Sequence, residues 1–205
     1  MQYDPTRMSA KDIYQLMIRT IVPRPIAWIS TVSGKGEPNV APFSFFAGIT
    51  ADPPALCFSP ARRSGGEKKD TLANVESTGE FVVNVVTEDW SVAMNETATD
   101  FPAGVNEFER AGLTPVPGAV VVAPRIGESP VQMECKLLSL VPVGEKGGML
   151  VIGEVVMFHI DGRVVADGRV DAGLLRAVGR MGGQEYTRTN DRFVLERKKF
   201  GKDVF

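Results

Sequence analysis

The stretch VPRPIAWISTVSGKGEPNVAPFSFF, residues 22–46, decides how the chain folds. Ile26 to Thr31 is short, apolar and rich in strand-forming residues, Ser33 to Pro38 is turn chemistry, and Asn39 to Phe46 is extended again. The pattern predicts a β-hairpin. Two details are foreign to an ordinary hairpin. Pro42 falls inside the second strand, where it has no N–H to give to a ladder, and Ser30, Thr31, Asn39 and Ser44 interrupt apolar surface with small polar groups. A strand needs such features where a flat molecule lies against its backbone.

Working outward, Ser9 and Asp12 predict the N-terminus of a short helix over SAKDIYQLMI, which Pro23 ends. After the hairpin, PPALCFSP (residues 53–60) is a short strand bounded by prolines. ARRSGGEKKD (61–70) is a basic, glycine-bearing loop, and TLANVEST (71–78) has helical spacing with Asp70 as its N-cap. Phe81 to Val86 is a strand, and Glu88 to about Thr97 is helical, with Trp90 and Met94 one turn apart. Residues 98–118 are irregular, with the turn content of a covering loop. Ala119 to Ile126, Pro130 to Val143 and Gly148 to Ile160 are further strands; the last two are long and joined by a tight turn, and such ribbons curl. Asp171 to Val178 is a last short helix. Antiparallel strands in succession, with helices only as inserts, predict a mainly β single domain over residues 1–205: a six-stranded Greek-key antiparallel barrel that removes its own edges, with short peripheral helices.

Composition narrows the function classes. Hydrophobic content of 43% with 23% charged residues is the globular average, which disfavours disorder, collagen and coiled coil. A net charge of −2 with scattered Lys and Arg argues against a nucleic-acid partner. Cys57 and Cys135 each sit in an apolar run and are expected to be buried free thiols, with neither a disulfide framework nor a metal site. The N-terminus does not have the pattern of a signal peptide, and no apolar run approaches the roughly 20 residues of a membrane span. A cytoplasmic protein with no membrane partner is expected.

The motifs for familiar catalysis are missing. GKGEPN (34–39) lacks the third glycine of a dinucleotide fingerprint and joins two strands, and no Walker sequence occurs. His159 is the only histidine and has no nucleophile near it in sequence; a structural role and a ligand-facing one both remain open. The 62–71 loop is more informative. Basic side chains and a hydroxyl precede a helix N-terminus, where N–H groups and the dipole favour an anion such as phosphate. A solvated basic loop is the competing reading.

Together, RPIAWIST, NVAPFSFF, PPALCFSP, KKDTLANV, GEFVVNVV, VNEFERAGL, ESPVQMECKL, GEVVMFHID and GRMGGQEYTR resemble, in order and over nearly the whole chain, the flavin reductase-like family, in its flavoredoxin-type branch. The resemblance implies an FMN-binding split β-barrel that dimerises, with FAD the less favoured flavin. It implies that Arg24, Pro25, Asn39, Ala41, Pro42, Phe43, Ser44 and Phe45 lie along the flavin ring and ribityl chain, with Ser30 and Thr31 nearby. Ser59, Arg62, Lys69 and Thr71 are implied at the ribityl and phosphate end, and Arg180 with Tyr186 as a closing C-terminal segment. Three functions follow from it: an NAD(P)H:flavin oxidoreductase, an electron carrier with tightly held FMN, or a flavin-binding module without turnover. A redox protein or a monooxygenase is the implied macromolecular partner. In such proteins the cofactor carries the chemistry, so no catalytic side chain stands out.

Overall fold

The computed structural model describes residues 1–60, 68–102, 104–144 and 148–196. Its elements, in chain order, are α1 (Ala10–Thr20), β1 (Arg24–Pro25), β2 (Ala27–Val32), β3 (Pro38–Phe43), β4 (Phe46–Ala51), β5 (Pro54–Phe58) and α2 (Asp70–Thr78). There follow β6 (Glu80–Val85), α3 (Ser91–Glu96), α4 (Glu107–Arg110), β7 (Pro115–Val116), β8 (Arg125–Ile126), β9 (Val131–Pro142) and β10 (Met149–Ile160). The chain continues with β11 (Val165–Ala166), β12 (Arg169–Val170), α5 (Ala172–Leu175), β13 (Val178–Arg180) and β14 (Tyr186–Arg188).

The main sheet has seven strands, not six, in the order β3-β2-β6-β9-β10-β5-β4. The added strand is β4. The extended run expected from Asn39 to Phe46 bends at Ser44 and Phe45, and the chain resumes as β4, paired with β5. FAGITA carries a glycine and is mostly exposed, so its strand signal is weak. The expected closure is also corrected: the sheet ends in β3 and β4, which do not pair with each other. Instead the Phe43 and Phe58 rings pack 5.3 Å apart across the gap, while the Ser59 N–H donates to the Phe45 carbonyl (2.9 Å) as the next rung of the β4–β5 ladder. The long β9–β10 ribbon bends at two register shifts, at Ile152/Gly153 and Val155/Met157.

β2 is buried on both faces, with Ala27, Trp28 and Ile29 fully covered. Ala27 and Ile29 join Phe58, Phe81, Val83 and Val151 in one core, while Trp28 joins Val40, Met94, Phe108 and Ile126 in a second. That second core is built by the helices and loops outside the sheet. Truncating a side chain such as Trp28 to Ala costs about 3–5 kcal/mol in cores of this kind. Pro42 is accommodated because β3 is an edge strand.

Local chemistry explains the remaining elements. Ser9 caps α1 as expected, accepting from the Asp12 N–H (3.1 Å). The cap of α2 is Lys69, not Asp70, which is the first helical residue, and Gly79 ends the helix in the left-handed region. Residues 98–118 contain α4 and β7 and are not wholly irregular. The last helix stops at Leu175 because Arg176 is left-handed (φ 49°). The expected strand at Ala119 to Ile126 is a loop up to β8. Carboxylates hold it: Glu134 accepts from the N–H groups of Ala119 (2.7 Å), Val120 (2.7 Å) and Val121 (2.9 Å), and Glu80 from Val122 (2.7 Å). Those N–H groups therefore have partners without a strand. Burial pushes the Glu134 carboxyl up, but the backbone donors and His159 outweigh it and hold it below the usual carboxylate range. Cys135 is buried as expected and burial raises its thiol pKa, whereas Cys57 is half-buried.

Two stability tests follow. A Cβ on Gly153 lies 2.4 Å from the buried Phe81 ring, whereas one on Gly48 meets nothing within 4 Å. Gly153→Ala is expected to lose about 1–3 kcal/mol in denaturant unfolding, with Gly48→Ala nearly neutral. Glu134→Gln is expected to be less stable at neutral pH. Because the folded-state pKa is depressed, that stabilisation is present above the ordinary carboxylate value of 4.5 and fades as pH falls through the folded value. The wild-type advantage should therefore shrink towards low pH; a gap that is constant with pH overturns the assignment.

Candidate functional site

A cleft of about 280 Å³ opens beside the β3 edge of the sheet. Asn39, Ala41, Pro42 and Ser44 form one wall, the start of α2 (Lys69, Asp70 and Thr71) a second, and Met94 to Phe101 a third. Tyr14, Ile26, Glu107, Arg180 and Tyr186 complete it. The small sheet β1-β13-β14 explains how residues so distant in sequence arrive there: β1, just before the hairpin, pairs with β13, and β13 with β14.

The polar floor is a chain of buried hydrogen bonds. The Asn39 amide donates to Thr71 Oγ1 (3.0 Å) and, more weakly, to Thr31 Oγ1 (3.5 Å), and the Asn74 amide also donates to Thr31 (3.0 Å). Thr71 and Asn39 are 1% and 8% exposed, and both line the cleft. The N-cap residue of α2, Lys69, makes no side-chain cap hydrogen bond. Its ammonium makes a long ion pair with Asp100 (3.5 Å). At the opposite side the Arg180 guanidinium lies 4.4 Å from the Tyr186 ring centroid, and the Tyr186 hydroxyl donates to Asn95 Oδ1 (3.0 Å). The cleft thus offers an extended strand edge with small side chains, a lysine at a helix start, buried hydroxyl and amide groups, and a stacked arginine. That combination suits an elongated, planar, anionic ligand.

Of the residues singled out from sequence, Asn39, Ala41, Pro42, Ser44, Lys69, Thr71, Arg180 and Tyr186 come together here. None of the others among the described residues lines the cleft. The Ser30 hydroxyl is fully buried, donating to the Pro124 carbonyl (2.5 Å) and accepting from Asn84 (3.0 Å). Thr31 sits behind Asn39. Phe43 points into the core, and Phe45 packs edge-on against Tyr14. Pro25 is exposed, Ser59 belongs to the β5 end, and the Arg24 side chain is buried among backbone carbonyls. Arg62 lies outside the described residues. His159 is remote from the cleft and is hydrogen-bonded to Glu134 (2.6 Å).

Sequence reasoning expected a covering loop from residue 98 on but missed that Asn95 and Thr97, at the end of α3, belong to the same wall. The missing signal was Trp28, whose indole N–H, buried in the second core, donates to Thr97 Oγ1 (2.9 Å) and so ties this segment to β2. Glu107 was passed over as well; it is buried, lines the cleft, and accepts from the Val40 N–H (3.4 Å).

The fold and the sequence place the chain in a family of flavin reductase-like β proteins. The chain is a member of the flavin reductase like domain family, whose profile it matches over residues 18–174. It is 36% identical to nitrilotriacetate monooxygenase component B from Bacillus cereus, with a TM-score of 0.91 over 95% of this chain and 98% of that one. It is 30% identical to 2-nitrobenzoate 2-nitroreductase of Pseudomonas fluorescens, with a TM-score of 0.88 over 98% of both chains. A split barrel domain protein of Shewanella frigidimarina shares the fold at 22% identity, with a TM-score of 0.83 over 97% of this chain and 100% of that one. Among the described residues no helix is long and apolar enough to cross a membrane, and no cluster of metal-ligating side chains occurs.

Replacing Thr97 by Val leaves the buried Trp28 indole N–H without its partner. The expected loss is about 1–3 kcal/mol of stability, with a changed tryptophan emission in the folded state. Unchanged stability and emission overturn the role given to this bond.

Proposed function

We propose that the chain is a single FMN-binding domain acting as an NAD(P)H-dependent flavin reductase, with the cleft along β3 as its flavin site. The observation that carries this reading is the convergence in one cleft of the β3 edge, the start of α2 with Lys69 and Thr71, and Arg180 stacked on Tyr186. A flavin, when bound, supplies hydride and electron transfer; the protein binds, orients and shields it. Asn39, Ala41, Pro42 and Ser44 flank the ring and ribityl chain. Lys69 and Thr71 hold the phosphate, an end that a lysine charge and helix N–H groups favour over neutral groups. Arg180 and Tyr186 cover the site from the C-terminal side, and the Asn95–Phe101 segment takes the covering role expected of the 98–118 loop.

The likeness to a monooxygenase component B supports a reductase that passes reduced flavin to a monooxygenase partner. The likeness to a nitroreductase supports a second reading, in which flavin stays bound and reduces a small molecule directly. A homodimer in the cytoplasm completes the proposal.

Oxidation of NADH and of NADPH, each with FMN, with FAD and with no added flavin, tests the reading. Turnover that requires added FMN is expected for the reductase; turnover of a nitroaromatic by protein carrying its own flavin favours the second reading. Lys69→Ala and Thr71→Ala are each expected to weaken FMN by about 1.5–3 kcal/mol while leaving riboflavin nearly unchanged. Equal losses for both flavins overturn the phosphate assignment, and protein that binds no flavin overturns the function.

A further inference from the structure

We infer that Arg24 is a positioning residue for the cleft, acting through Arg180, and not one of the ligand's contacts. The inference rests on the flavin reading of the cleft. The Arg24 residue is 4% exposed, and its donors are directed to protein acceptors. Nη1 donates to the carbonyls of Ile18 (2.7 Å) and Ile21 (2.6 Å), Nη2 to the carbonyl of Met181 (2.9 Å), and Nε to Ser44 Oγ (3.3 Å).

Those acceptors belong to different walls of one site. Ile18 and Ile21 lie at the C-terminal end of α1, the helix that brings Tyr14 to the cleft, where a cation also meets the negative end of the dipole. Ser44 lines the cleft itself, and Met181 follows Arg180 directly. The β1–β13 register sets Arg24 opposite Arg180, so the bond to the Met181 carbonyl anchors the backbone from which Arg180 departs. Arg180 then lies over Tyr186, and its Nη2 donates to the Gly183 carbonyl.

A planar guanidinium can hold acceptors in several directions at once. An ammonium on a flexible stem has fewer donors and no fixed fork. Burial lowers the Arg24 pKa, Tyr14 counters this, and the like charge of Arg180 adds to the lowering. Tyr14 and Arg180 are thus close enough to affect Arg24, and both line the cleft.

The test is a double-mutant cycle in FMN affinity, measured on the full chain by quenching of flavin fluorescence. Arg24→Lys and Arg180→Lys are each expected to weaken FMN about tenfold, with the double variant little weaker than the worse single one, because both disturb the same group. Lys69→Ala paired with Arg180→Lys is the control: it couples only through the ligand and is expected to be additive within about twofold. Additive losses for Arg24 and Arg180 overturn the inference, as does a coupling no larger than the control's. If Arg24→Lys does not fold, Arg24→Gln, which keeps an amide donor for the carbonyls of Ile18, Ile21 and Met181, replaces it in the cycle. Additivity there is equally fatal. Wild-type protein that fails to bind FMN overturns the flavin reading and this inference with it, whereas additivity with wild-type binding intact overturns this inference alone.

Discussion

Burial of β2 on both faces is the constraint on which the rest of the molecule depends. Alternation along a strand sends Ala27 and Ile29 to one core and Trp28 to the other, so the strand needs cover on each side. The sheet supplies one cover by curling until Phe43 meets Phe58. The other comes from α3, α4 and the loop before β9, which close over Trp28, Met94, Phe108 and Ile126. The cleft forms where these two arrangements meet. β3, the neighbour of β2, has no strand on its far side, and the segment fastened to Trp28 through Thr97 stands opposite.

The cleft inherits its order from these buried contacts. Asn39 and Thr71 join an edge strand to a helix start through hydrogen bonds that few other groups could replace, since unpaired amide and hydroxyl groups in such positions are costly. Glu134 does similar work away from the cleft, where a loop of three consecutive N–H groups closes on one carboxylate that also takes His159. In the first place buried polar groups tie two regular elements together; in the second a buried carboxylate fixes the path of a segment that has no regular structure of its own.

Local sequence predicted several elements well because their causes are local. Ser9 capping α1, the 22–43 hairpin, and the long strands β9 and β10 follow from capping chemistry, turn residues and runs of strand-formers. Errors arose where context decided. FAGITA hid β4 behind a glycine and an exposed face. Ala119 to Ile126 has strand composition but is held as a loop by Glu134 and Glu80, and the cap of α2 fell one residue earlier than its best capping side chain.

Sequence alone determined the family, the β-rich architecture, and three of the places that build the cleft: the Asn39–Ser44 strand, the Lys69–Thr71 helix start and the Arg180–Tyr186 segment. It could do so because each carries an uncommon local combination of proline, small polar and basic residues. Only the tertiary structure decided which members of those segments face the cleft. Ser30, Thr31, Phe43 and Arg24 sit among them in sequence, yet strand alternation and the two-sided burial of β2 turn Ser30 and Phe43 into the interior. Arg24 is drawn to the open carbonyls at the end of α1 and to Met181, 157 residues away. Which way a side chain points depends on what packs behind it, and that is set by strands and helices far along the chain.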